Sequence, residues 1–247
     1  MGYQELGTVA SGKKMVAPTF LNIGESNKWS LADLKVTGYK APSKNAKGKW
    51  VDGCQANKFI ASKLTVFGTE EVSYHWLDTG TVGPGWFASS SGDPIEGGAA
   101  SVKFDAGTGF WIAGSDFKLV PAGSVNPYDI SFETVASGKV SIGNPTPVDL
   151  KLSELTVTGY KAPSKNAKGK WVDGCQANKF IASRLTVFGT ENVSYHWLDT
   201  GTVGPGWFAS SSGDPIEGGA DNVTIPAGEG LWTAGSGFKL VIPAPEL

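Results

Sequence analysis

His75 and His196 stand in identical settings, VSYHWLDTG, and each is followed by a serine-rich turn, SSSGDP. Histidine, serine and a carboxylate are the parts of a nucleophilic triad: the imidazole takes the hydroxyl proton and the acid orients the ring. Asp78 or Asp93 would supply that acid in the first setting. However, the sequence has no GxSxG elbow to expose a nucleophilic serine. Runs of Ser, Gly and Asp are also what ordinary turns are made of. A half-exposed strand histidine is the better reading. Asp78, Asp93 and Glu96 lie close enough in sequence to suggest a pair of glycosidase carboxylates or a calcium site. No DxDxDG-type loop is present, and GDPIEGG reads as a tight turn with a solvated acid on each side. No catalytic residue, and so no enzyme, is expected. No cofactor is expected either, with a structural calcium ion left open.

Cys54 and Cys175 are the only cysteines, and they occupy equivalent places in two similar halves of the chain. One Cys and one His per half are too few ligands for a metal site. Each thiol is either a small buried hydrophobe or half of a disulfide, between the halves or between chains. The sequence leaves both readings open.

Aromatic side chains are the richest material: Trp50, Trp76, Trp86, Phe87 and Trp111 in one half, with Trp171, Trp197, Trp207, Phe208 and Trp232 in the other. Exposed tryptophan stacks on sugar rings or anchors an interface, whereas buried tryptophan fills the space between sheets. Trp76 and Trp111 read as core. Trp50 and Trp86, with Trp171 and Trp207, lie beside Gly-rich loops and are the candidates for exposure. Trp29 has Leu150 opposite it and reads as part of the first half's outer end. The remaining candidate contacts are Lys44 and Lys47, with Lys165 and Lys168, in KAPSKNAKGK. Its Pro, Asn and Gly make that stretch a solvated surface loop.

These candidates come in pairs because the chain repeats itself. Residues 36–99 and 157–220 are 64 aligned positions that differ only at Lys63/Arg184 and Glu71/Asn192. The register holds to AGTGFWIAGSDFKLV opposite AGEGLWTAGSGFKLV, and TVASGK near the start returns at Thr134–Lys139. Such self-similarity predicts two domains, 1–123 and 124–247, joined around PAGSVNP. Within each copy, β-favouring runs alternate with Gly- and Pro-bearing turns and no helical periodicity persists. The expected strands in the first copy are Tyr3–Val9, Lys14–Phe20, Leu34–Tyr39, Phe59–Phe67, Val72–Leu77, Gly85–Ala88, Val102–Phe104, Gly109–Ala113 and Phe117–Val120. The fold class is therefore all-β, two tandem jelly-roll-like β-sandwich domains from an internal duplication. A single barrel across both copies fits less well, because each half repeats completely.

A net charge of −2, with 18% charged residues, gives no basic surplus for nucleic acid. No run of about 18 apolar residues is present to span a membrane. The opening MGYQEL lacks the basic and apolar regions of a secretion signal. The chain either stays inside the cell or has lost a signal already. A copy containing an opening GY strand, MVAPTF, LADLKVTGY, LTVFG, VSYHWLD, GWF and a closing AGTGFWIAGSDFKLVPAG resembles the repeats of a group of secreted bacterial β-proteins. Those proteins carry two tandem copies behind a signal peptide. The resemblance implies export, an all-β fold and no established enzyme activity, and it brings no functional residues with it. The lysine loop and DGCQANKF lie outside the shared pattern.

The near-identity of the copies exceeds what folding requires, since a sandwich tolerates wide surface variation. It reflects either recent duplication or the use of one surface twice, which raises avidity. The expected function is an extracellular or cell-surface structural protein that assembles with copies of itself into a fibre or array. The alternative is a tandem carbohydrate-binding module that meets polysaccharide through its exposed tryptophans.

Overall fold

Alternation of apolar and polar residues puts one face of a strand in the core and the other in solvent. In Leu34–Thr37, Leu34 and Val36 are buried while Lys35 and Thr37 are exposed. Phe110–Ala113 buries Phe110 and Ile112 in the same way. The computed structural model describes residues 2–7, 13–22, 27–54, 62–67, 71–114, 117–133, 139–175, 183–188, 192–235 and 237–246. These residues form an all-β protein with no helix of seven or more residues.

The chain divides into two compact units, Met1–Asn126 and Pro127–Leu247. In the first, a five-stranded antiparallel sheet runs in the order Gly85–Phe87, Glu71–Leu77, Ser62–Phe67, Phe110–Ala113, Lys13–Val16. In the second sheet, Lys118–Gly123 lies between Leu34–Thr37 and the short strands Gly2–Tyr3 and Leu6–Gly7. The strand thus continues into PAGSVNP, whose first half is sheet and not linker. Lys28–Ser30 pairs with Lys103–Asp105, and Ser43–Lys44 pairs with Trp50–Val51 as a small hairpin.

Leu6, Leu34, Val36 and Leu119 from one sheet meet Val16, Trp86, Phe110 and Ile112 from the other in a single buried cluster. Trp29 belongs to this cluster and is fully buried, a correction to its assignment at the outer end of the first half. Its ring centroid lies 4.6 Å from that of Phe104 and 5.8 Å from that of Phe110. Its Nε1 donates to the Asp105 carbonyl at 3.3 Å, so the one polar atom of the indole is satisfied inside. The sequence hid this strand because NKWS is short and polar around a single apolar residue.

The second unit repeats these pairings, with one strand, Ile130–Glu133, in place of the two short strands Gly2–Tyr3 and Leu6–Gly7. Its five-stranded sheet runs Lys139–Gly143, Gly230–Ala234, Ser183–Phe188, Asn192–Leu198, Gly206–Phe208. Lys239–Ile242 lies between Ile130–Glu133 and Thr156–Thr158, Leu150–Lys151 pairs with Thr224–Ile225, and Ser164–Lys165 pairs with Trp171–Val172. The copies diverge at several buried positions, among them one aromatic cluster. Trp29, Phe104 and Phe110 become Leu150, Ile225 and Leu231, and all three replacements are buried. Nearby in the second unit, the fully buried Asn144 donates to the carbonyls of Val148 and Ile225 and accepts from Thr146.

Candidate functional site

The lysine-rich stretch expected as a solvated loop is a built hairpin. At its tip, Asn45 Oδ1 accepts from the amides of Lys47 at 2.9 Å and Lys49 at 3.0 Å. The Asn45 amide donates to the Lys49 carbonyl, and the Gly48 amide donates to that of Asn45. At its base, Asp52 and Gly53 are both left-handed, with φ of 62° and 82°. Among the described residues, Asp52 is one of three non-glycine residues in that region, with Asn27 and Asp173. Its Oδ2 takes the Lys40 ammonium at 3.0 Å and the Ser43 hydroxyl at 3.3 Å, which ties the two ends of the hairpin together. A Cβ on Gly53 would lie 2.2 Å from the Asp78 carbonyl oxygen, so only glycine fits.

Trp50 lies against the turn that follows Asp78. A Cβ added at Gly80, whose φ is +79°, would lie 2.3 Å from Cε3 of the indole. The Lys44 ammonium, directly across the hairpin, stands 5.1 Å from the ring centroid. This is a cation–π contact. Trp50 nevertheless remains 39% exposed. The second unit reproduces the arrangement, with Lys165 5.0 Å from the Trp171 ring, Gly201 beneath it and Trp171 38% exposed.

Beneath the hairpin, the Cys54 amide donates to the Asp78 carbonyl at 2.9 Å and the Asp78 amide returns a bond to Cys54 at 3.2 Å. The Tyr39 hydroxyl donates to Asp78 Oδ2 at 3.0 Å and accepts from Trp76 Nε1 at 3.3 Å. Burial raises the Tyr39 hydroxyl's pKa above the ordinary tyrosine value. The Trp76 hydrogen bond pulls it back, and the neighbouring Asp78 adds to the rise. Tyr160, Trp197, Asp199 and Cys175 repeat the network.

Trp86 is not exposed: it is 9% exposed, it belongs to the core cluster, and its Nε1 donates to the Leu34 carbonyl at 3.1 Å. Its ring meets Trp76 edge-on at 5.6 Å. Trp207 is half-buried with the equivalent bond to Leu155 at 3.0 Å. The neighbouring glycines that suggested exposure serve the turn, not the ring. Trp50 and Trp171 stay at the surface, as do Lys44, Lys47, Lys165 and Lys168. Cys54 and Cys175 are buried thiols, 7% and 6% exposed, each tied into its own unit. A bridge to a second chain would have to draw the sulfur out of that burial.

The acidic residues are committed to separate tasks. Asp78 accepts from Tyr39. Asp93 Oδ2 accepts from Ser89 Oγ at 2.5 Å, and that oxygen accepts the amides of Ser91 and Asp93, closing a turn on itself. Glu96 is exposed. His75 is half-buried in the strand Glu71–Leu77, opposite Phe87 in the sheet register. Among the described residues, no group of three or more His, Cys, Asp or Glu side chains is placed to hold a metal ion. No described helix is long and apolar enough to cross a membrane.

Sequence reasoning missed the roles of Tyr39, Asn45, Lys49, Asp52 and Gly80. The readable signals were the adjacent D-G in WVDGC and the close glycines of DTGTVGPG, both marks of left-handed backbone. No family model, curated protein or solved structure matches the chain.

Proposed function

We propose that this chain is a non-enzymatic structural protein of the cell exterior that assembles with copies of itself. It is built from two tandem jelly-roll-like β-sandwich domains produced by internal duplication. The observation that carries the reading is the pair of hairpins. Each is held rigid by its own Asn and Asp, each offers an exposed tryptophan, and the two agree in hydrogen-bond lengths to about 0.1 Å. Rigid aromatic anchors that lose little freedom on contact are what interface hot spots are made of. Showing the same anchor twice lets one chain be held by two neighbours. Asp78 accepts from Tyr39 and the histidines lie half-buried in strands, whereas the hairpin presents its tryptophan and lysines at the surface. Sedimentation velocity across a concentration series tests the proposal. Species larger than one chain that grow with concentration support it, and a single-chain species throughout rejects it.

The exposure of Trp50 and Trp171 also favours a second reading, a tandem carbohydrate-binding module that stacks sugar rings on these two indoles. Trp86 and Trp207 take no part in it. Retardation of the protein in polysaccharide-containing gels, lost on Trp50→Ala with Trp171→Ala, would support this reading over self-assembly.

A further inference from the structure

Charge is distributed unevenly between the hairpins and the rest of the chain. Residues 38–52 and 159–173 together hold 8 of the 21 basic residues and 2 of the 23 acidic ones. The two segments therefore carry +6 and the remainder −8. Lys40 is paired with Asp52, and Lys44 sits over Trp50. Among the described residues, the exposed Lys47 and Lys49 have no acidic partner. The acidic turn Ser89–Glu96 and the Trp50 of this hairpin share one support. Both pack on the turn Thr79–Gly83: Trp50 covers Gly80, and Gly92 abuts Val82, where a Cβ would lie 2.9 Å from its Cγ1. Each unit thus seats two exposed features on a single turn. One is the indole of a hairpin that carries exposed lysines, and the other is a turn that carries the exposed Asp93 and Glu96 or their counterparts.

We infer that this patch is self-complementary and docks on the same patch of a second copy of the chain. The inference rests on the self-assembly reading and names its surface. In a two-fold contact, Lys47 and Lys49 of one copy meet Asp93 and Glu96 of the other, and the reverse, with the two Trp50 rings enclosed between them. A polyanion fits the patch less well, because it would meet the two acids as well as the lysines. Duplex nucleic acid, with one charge per about 1.7 Å of axis, would also face the −8 of the remainder. A neutral glycan has no use for the lysines. The second unit has the same patch in Lys168, Lys170, Trp171, Asp214 and Glu217. Each chain can therefore be held twice, and association continues past the dimer.

The test uses sedimentation velocity on the full chain and four variants, with circular dichroism to check their folding. Wild type should form species beyond the dimer at low salt. These should dissociate in 1 M salt, where charges are screened within about 3 Å. Lys47→Glu and Lys49→Glu, combined with Lys168→Glu and Lys170→Glu, should weaken association about tenfold or more. Glu96→Lys with Glu217→Lys should do the same. An equimolar mixture of these two variants should restore association, because an acidic patch then meets a basic one. Lys168→Glu with Lys170→Glu alone should stop at dimers. A Trp50→Ala, Trp171→Ala variant should lose association at any salt. Unchanged association in both charge-reversed variants would overturn the inference and leave self-assembly through another surface. Charge-reversed variants that remain single chains when mixed would also overturn it. A wild type that is a single chain at every concentration would instead defeat the self-assembly reading itself.

Discussion

The Tyr39 hydroxyl links the hairpin's base to the five-stranded sheet, since it donates to Asp78 and accepts from Trp76. Replacing it with phenylalanine removes one oxygen and leaves two partly buried partners unsatisfied. Tyr39→Phe with Tyr160→Phe is expected to lower stability by about 1–2 kcal/mol per unit, measured by urea unfolding. Burial also raises the hydroxyls of Tyr74 and Tyr195. A tyrosine whose folded pKa exceeds its unfolded one holds its proton more tightly when folded. Its contribution is complete below the unfolded value of about 10 and is lost as pH rises through the folded value. Urea midpoints should therefore fall as pH rises above about 10, and less steeply in the double Tyr→Phe variant. A midpoint that is flat across this range would contradict the burial of these four rings. At this scale the sequence was a partial guide. It marked Trp50 as exposed from its loop neighbours, but the same argument misplaced Trp86, because nothing local reveals that an indole nitrogen will find the Leu34 carbonyl 52 residues away.

The hairpin is stable because a few residues replace the hydrogen bonds that two-residue strands cannot supply. Asn45→Ala with Asn166→Ala removes the acceptor shared by two lysine amides in each unit. Amide exchange at Lys47, Lys49, Lys168 and Lys170 should accelerate, while the global unfolding midpoint stays nearly unchanged. Gly80→Ala with Gly201→Ala acts on the other side. The new methyl groups cannot coexist with the indoles, and the left-handed φ disfavours any side chain. A cost of about 1–3 kcal/mol per unit is expected, with a red shift in tryptophan emission as the rings leave their seats. An unshifted spectrum would deny the packing of Trp50 on Gly80. Strands with clear alternation, such as Leu34–Thr37, were legible in the sequence. Lys28–Ser30 and the hairpin were not, because strands of two or three residues are too short to show a periodicity.

At the scale of the whole molecule, each unit has its own sheets, and the copies differ inside as well as outside. The change from Trp29, Phe104 and Phe110 to Leu150, Ile225 and Leu231 alters three residues of one contact cluster together. Residues in contact vary together because the volume they fill is shared. Residues 127–247 expressed alone should keep a β-type circular dichroism spectrum and unfold in one cooperative transition. A non-cooperative fragment would mean that the units depend on each other to fold. The repeat made the two-part organisation visible in the sequence, whereas the use of the repeated surface belongs to chemistry between chains. Electron microscopy of the purified protein across a concentration series examines that use most directly. The account predicts filaments or ordered arrays that lengthen or extend with concentration. Isolated single-chain particles at every concentration would contradict it.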